Sequence, residues 1–359
     1  MVKIDERIKD LEKDLSSGKY DKSTAHHFAL VKAQLSKLKE RKEKQASSGK
    51  GVYGYSVRKS GDASVILVGF PSVGKSTLMN KLTDAKSDVA AYAFTTLTVI
   101  PGVMKYKSAK IQILDVPGIV EGAASGKGKG KEVLSCVYSA DLIILLADEP
   151  SQIKKLEREL YEFNIRINTE RARINLVRKE KGGLNINLPK NFNLDMETIK
   201  LILREFKIHN ANVDIYRNLS VEEFIDFLEG NKKYIPAIYV LNKVDKMKKE
   251  ELEKIKGFDL FISAETDFNL DKLRDLIFNK LNFIRVYCKE MRKEADLNEP
   301  MIMFKDATLR DMCSKLHKDF IEKFKFSRVW GVSVKHQGQK IMKLEHKLKD
   351  KDIVELHMG

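Results

Sequence analysis

The octapeptide GFPSVGKS at 69–76 constrains this chain more than any other stretch. It has the form G-x-x-x-x-G-K-[ST] and lies between an apolar run, VILVG at 65–69, and a helix-forming run, TLMNKL at 77–82. A strand feeding a glycine-rich loop that opens a helix is the setting in which backbone N–H groups close around phosphates. In that reading Pro71, Ser72, Val73 and Gly74 shape a cradle that runs into Thr77. Lys75 reaches the β- and γ-phosphates, and Ser76 ligates Mg2+.

A phosphate loop needs a sheet behind it, and the sequence offers one. IQILDVPG at 111–118, LIILLAD at 142–148, AIYVLNKVD at 237–245 and DLFISAE at 259–265 are strand-like runs ending in polar or glycine residues, separated by helical segments. That alternation predicts an α/β fold with a parallel sheet and crossover helices. Ligands bind such sheets at the carboxyl ends of the strands, where the motifs fall.

Each strand end carries its own chemistry. In DVPG, Asp115 is expected to hold Mg2+ and the Gly118 N–H to meet the γ-phosphate. NKVD at 242–245 selects the base. Guanine presents two adjacent donors, N1–H and the 2-amino group, and the Asp245 carboxylate accepts both. Adenine leaves that carboxylate unpaired, which is costly in a buried site. Asn242 is expected to brace the loop and reach the base edge, and the Lys243 stem to cover the ring. In SAE at 263–265, Ser263 and Glu265 flank Ala264, whose N–H is aimed at guanine O6. FTT at 94–96 lies where a switch segment belongs. Thr96, with Thr95 second and Phe94 beside them, is expected to offer a hydroxyl to Mg2+ and an N–H to the γ-phosphate, so that losing this phosphate releases the segment.

The remaining segments are accessory. Ile4, Ile8, Leu11 and Leu15 fall at helical spacing, and Ser16, Ser17 and Gly18 break the stripe. Val31, Leu35 and Leu38 make a second stripe, so 1–50 reads as a helical hairpin. Its mostly basic run Lys37 to Lys44 is either solvated surface or an RNA-facing arm. Ser47, Ser48, Gly49 and Gly51 mark a joint. The interval from Asp115 to Asn242 exceeds what one strand and two helices need, so 167–231 reads as an inserted α+β subdomain within a nucleotide-binding domain of 62–166 and 232–285. The insert opens with a basic stretch, Arg166, Arg171, Arg173, Arg178, Lys179 and Lys181. KGGLNINLP at 181–189 suggests a strand pair. From 286 to 359, IRVY, MIMF, WGVSV and DIVELHM enclose a helical run, Leu309 to Leu316, and predict a β-grasp-like module.

Composition narrows the class. Of 359 residues 66 are Lys or Arg and 51 Asp or Glu, a formal charge of +15 that favours a polyanionic partner such as nucleic acid or the ribosome. The longest apolar run is too short to span a bilayer, and the start reads as charged rather than as a signal, so an intracellular protein without membrane association is expected. Cys136, Cys288 and Cys313 have no zinc or redox spacing and read as buried, inert thiols.

Taken in order, GFPSVGKST, AYAFTTLTVIPG, LDVPGIVEGAASGKGKG, YVLNKVD and ISAE resemble the Obg-like branch of translation-factor GTPases, and more narrowly the developmentally regulated GTP-binding proteins, the DRG family. KIHNANV at 207–213, EGNKKYIPAIYVLNKVD at 229–245 and FKFSRVWGVSVKH at 324–336 extend the resemblance beyond the nucleotide domain. It implies a helix-turn-helix N-terminus, a P-loop GTPase domain with an S5D2-like insert, and a C-terminal TGS domain. It further implies a cytoplasmic GTPase that binds GTP and GDP with Mg2+, associates with translating ribosomes, and is either a monomer or a heterodimer with a zinc-finger regulatory protein. Many Ras-like proteins place a glutamine just after DxxG to orient water. Here that position is Ile119, so the resemblance implies slow intrinsic turnover and a helper from elsewhere: K+, another part of the chain, or the ribosome. K+-using relatives often carry Asn where this chain has Ser72. GKGKGK at 126–131 either touches phosphate or rRNA or is a solvated loop.

Overall fold

A computed structural model describes residues 2–17, 24–47, 61–83, 100–116, 136–317 and 319–359. The expected joint at 47–51, the switch residues Phe94, Thr95 and Thr96, and Gly118, Ile119 and the 126–131 loop lie wholly or largely outside them. The chain forms two compact units. One holds the N-terminal helices and Thr169–Tyr234; the other holds the described residues of 61–168 and Ile235–Gly359.

In the first unit, helices Val2–Ser17 and Ala25–Ser47 pack as the expected hairpin, with Ile8, Leu11, Phe28 and Val31 buried. The longer helix has a second buried face. Ala29 and Ala33 are 1% and 0% exposed and join the core of the insert, among Ile199, Ile202, Leu203 and Phe224. Alanine lets the two backbones approach closely, which is why this face left so faint an apolar pattern. Three lysines of the basic run on the same helix are paired within the unit: Lys39 with Glu12 at 2.8 Å, Lys42 with Asp5 at 2.6 Å, and Lys37 with Glu205 at 2.9 Å.

The insert has helices Met196–Glu205 and Val221–Glu229 against a three-stranded sheet. Asp195 caps the first helix by accepting from the Thr198 N–H at 2.8 Å, and Ser220 and Glu223 close a capping box on the second. The expected strand pair is corrected. Ile174–Arg178 and Leu184–Asn187 do not pair with each other; Ala211–Ile215 lies between them, antiparallel to the first and parallel to the second. The central strand buries Ala211, Val213 and Ile215, whereas its neighbours bury theirs only in part, so the best apolar strand takes the covered position.

In the second unit the sheet order is Leu260–Phe261, Ala237–Leu241, Leu142–Ala147, Ala63–Val68, Ala109–Asp115 and Ile100–Tyr106. All neighbours run parallel except the Ile100–Tyr106 edge. Ala63–Val68 and Leu142–Ala147 are buried throughout, as expected of parallel strands covered on both faces. Ile66, Val68, Leu114 and Leu145 face one core with helix Pro150–Glu162. Val65, Leu67, Ile113 and Ile144 face the other with helices Lys75–Leu82 and Leu270–Lys280. The pairings Leu67 to Asp115 and Leu241 to Ala147 bring the strand ends level, so the loops after them share one edge. Arg166, read as part of the basic stretch, is only 7% exposed; it donates to the Tyr161 carbonyl at 2.8 Å and stacks 3.6 Å over the Tyr161 ring.

The C-terminal module is a five-stranded sheet, Met301–Phe304, Phe283–Lys289, Asp352–Met358, Phe324–Trp330 and Gln339–Ile341, with helix Leu309–Leu316. Its core is Val286, Leu309, Met312, Val329 and Val354. The expected strand at WGVSV is corrected: the strand is Phe324–Trp330 and the chain turns at Gly331. Gly331 has φ +142°, and a Cβ there would lie 2.2 Å from Asp352 Oδ1. Cys136 and Cys313 are buried as expected, but Cys288 is exposed, beyond Val286, near the end of its strand. No helix among the described residues is long and apolar enough to cross a membrane.

Candidate nucleotide-binding site

After Val68 the chain curls through 69–74 and enters helix Lys75–Leu82, whose N-terminus has no side-chain cap. Its first N–H groups are thus available to an anionic ligand. The curl depends on left-handed backbone at Ser72 (φ +64°) and Gly74 (φ +96°). Glycine is required at two close approaches: a Cβ on Gly69 would lie 2.4 Å from the Leu146 carbonyl, and one on Gly74 would lie 2.5 Å from Asn242 Nδ2. Pro71, Ser72, Ser76 and Thr77 are exposed along the loop, while the Val73 side chain is core, leaving only its backbone for the cradle.

Lys75 is 7% exposed, and its ammonium donates to the Gly69 and Phe70 carbonyls at 3.2 and 2.9 Å. Burial pulls its pKa below the ordinary lysine value, and the Asp115 charge opposes that. The Ser76 hydroxyl donates to Asp115 Oδ2, joining the helix start to the end of Ala109–Asp115. A hydroxyl and a carboxylate side by side are hard oxygen donors, and this pair suits Mg2+, which takes one or two protein oxygens and completes its shell with phosphate and water.

The guanine loop is tied to the phosphate loop. Asn242 is 2% exposed; its Nδ2 donates to the Val73 carbonyl at 2.9 Å, and its Oδ1 accepts from the Ala264 N–H at 3.0 Å. One side chain thus braces all three loops. The bracing expected of Asn242 is thus present, and it joins the turn carrying Ala264, whose N–H is expected on guanine O6, to the guanine loop. Lys243 has φ +61°, and its ammonium donates to the Ser72 carbonyl and to Asp148 Oδ2, both at 2.7 Å. Asp245 follows in the short turn Val244–Lys246 with its side chain exposed. Ser263 is buried and its hydroxyl accepts from the Thr266 N–H at 3.2 Å, fixing the turn that carries Ala264 and the exposed Glu265. Sequence reading missed Asp148. The signal available was its position, the first residue after a strand whose neighbours all end in motif loops.

Comparison with known proteins agrees with this geometry. Residues 64–179 match the family described as a 50S ribosome-binding GTPase, 181–283 match the C-terminal region of that domain, and 289–358 match the TGS domain. A GTP-binding protein of Methanocaldococcus jannaschii is 47% identical, covering 98% of this chain and 92% of its own. The developmentally regulated GTP-binding protein 1 homologue of Dictyostelium discoideum is 44% identical, covering 98% of both chains. That of Xenopus laevis is 42% identical, also over 98% of both. A phosphate loop braced to a guanine-type loop, a TGS module, and relatives alike from end to end lead to one assignment: the chain belongs to the developmentally regulated GTP-binding protein family, with a P-loop GTPase domain.

Proposed function

We propose that this chain is a slow GTP switch that works on the ribosome. The observation that carries the reading is the Asn242 brace, which ties the loop bearing Asp245 to the phosphate loop and to the 263–265 turn. In this reading Asp245 accepts guanine N1–H and the 2-amino group, Lys243 and the 263–265 turn complete the base pocket, and Lys75 with the loop N–H groups holds the phosphates. Ser76 and Asp115, with Thr96, are the residues to hold Mg2+, which when bound neutralises phosphate charge. Thr96 and Gly118 N–H groups meet the γ-phosphate, so the segments around them respond to its loss.

Hydrolysis breaks the bond from the γ-phosphorus to the β–γ bridging oxygen as water attacks, giving GDP and phosphate. Ile119 has no polar atom on its side chain to orient that water, so turnover is slow and help comes from K+, from elsewhere in the chain, or from the ribosome. The net charge of +15 and the matching family's description as ribosome-binding support the last. The accessory parts (hairpin 1–50, insert 167–231, TGS module 286–359) are assigned to docking in the cytoplasm, on the ribosome and with a zinc-finger regulatory protein of the kind DRG relatives bind.

Ile119 also motivates a second reading, a nucleotide-gated scaffold in which hydrolysis matters little. Single-turnover GTP hydrolysis with and without ribosomes at matched K+ separates the two. The switch reading expects at least roughly tenfold stimulation, about 1.4 kcal/mol off the barrier. An unchanged rate refutes it and favours the scaffold.

A further inference from the structure

We infer that Asp148 is a positioning residue of the nucleotide site, holding Lys243 as a latch between the guanine loop and the phosphate loop and thereby slowing nucleotide release. The inference rests on the site assignment above. Ala147 pairs with Leu241, so Asp148 leaves the sheet beside Asn242 and Lys243. The Lys243 ammonium then meets two acceptors at 2.7 Å, Asp148 Oδ2 and the Ser72 carbonyl. The first anchors the lysine to the rigid sheet, and the second lies in the curl of the phosphate loop. A lone ion pair with side chains 32% and 25% exposed would contribute little. This one differs because the same ammonium also grips the backbone of a second loop, so losing the carboxylate frees both loops.

Asp148 is itself held in place. Gln152, in the first turn of helix Pro150–Glu162, donates from Nε2 to Asp148 Oδ1 at 2.7 Å and accepts the Asp148 N–H at 3.2 Å. Burial raises the Asp148 pKa, but the hydrogen bonds from Lys243 and Gln152 outweigh it and hold the carboxyl below its ordinary value, so it stays ionised. The chain of contacts runs Gln152, Asp148, Lys243, Ser72, from a helix on the sheet to the phosphate cradle.

The test is release of a fluorescent GDP analogue from the full chain, chased with excess GDP. Asp148→Ala is expected to speed release roughly 5–10-fold, the size of one charge-assisted hydrogen bond in a partly exposed setting. The loss should fall on release and KM, with kcat following by less. Asp148→Asn, which still accepts one hydrogen bond, should fall between Ala and the unaltered protein, and Gln152→Ala should shift release in the same direction by less. Thermal melting without nucleotide guards against a folding defect. Release at the unaltered rate in Asp148→Ala, or faster release matched by an equal loss of nucleotide-free stability, overturns the inference. Failure of the unaltered protein to retain the GDP analogue overturns the site assignment and this inference with it.

Discussion

Replacing Asn242 by alanine removes both hydrogen bonds of the brace, at 2.9 and 3.0 Å, from a residue only 2% exposed. The change strands the Val73 carbonyl and the Ala264 N–H. Each unsatisfied buried group costs about 1–3 kcal/mol, so the pair is worth about 2–6 kcal/mol before relaxation. Some of this appears as lost stability, at about 2–4 °C in Tm per kcal/mol for a domain of this size. The rest appears as weaker nucleotide binding, because the loops must be reordered by the ligand; about 2 kcal/mol would weaken GDP affinity roughly 30-fold. Asn242→Asp provides the internal control. Its carboxylate still accepts from Ala264 but can no longer donate to the Val73 carbonyl, so it should lose at least the phosphate-loop half of the brace. Titration calorimetry with GDP and differential scanning calorimetry with and without it read the two parts. If Asn242→Ala binds GDP as tightly as the unaltered chain and melts within a degree of it, the brace argument is wrong.

Other predictions are independent of the brace. Asp245→Asn should cut GTP affinity at least about 100-fold and improve binding of XTP, whose 2-carbonyl accepts where guanine donates; equal loss for both would remove Asp245 from the base pocket. Burial holds the His346 pKa below its ordinary value, with Asp352 opposing. The unfolded chain therefore binds the proton first as pH falls, and the C-terminal module should lose stability from about pH 6.5 downward. His346→Gln should flatten that slope, read by thermal melting across pH. Ala33→Leu, at 0% exposure, should destabilise the first unit by about 1–3 kcal/mol through overpacking, measured by urea unfolding; a neutral result would mean the helix face is not packed as described.

What could be read from the sequence depended on signal length and on whether partners were local. The parallel strands were legible because their apolar runs, such as Ala237 to Leu241 ahead of NKVD, lead into motif residues with known spacing. The phosphate loop was legible for the same reason. Ala29 and Ala33 were not, since two alanines on a charged helix carry almost no hydropathy signal although they bury fully. The insert sheet misled because Gly182 and Gly183 look like a hairpin turn, while the strand that takes the centre, Ala211–Ile215, comes later in the chain. WGVSV misled because its apolar alternation suggested a strand, whereas the turn depends on Gly331 fitting beside Asp352. Asp148 was invisible because its partner, Lys243, lies 95 positions away.

The buried alanine face of the second helix also bears on how this chain is made. Its partners in the insert are distant in sequence; the contact between Ser36 and Glu229 spans 193 positions. At about 5–20 residues per second, the helix leaves the ribosome roughly 10–40 s before the last of the surface that covers it. During that wait the strands and phosphate loop of the nucleotide domain emerge in between. Closing so long a loop slows folding and leaves the alanine face uncovered in the meantime. The hairpin is thus a segment made early and completed late.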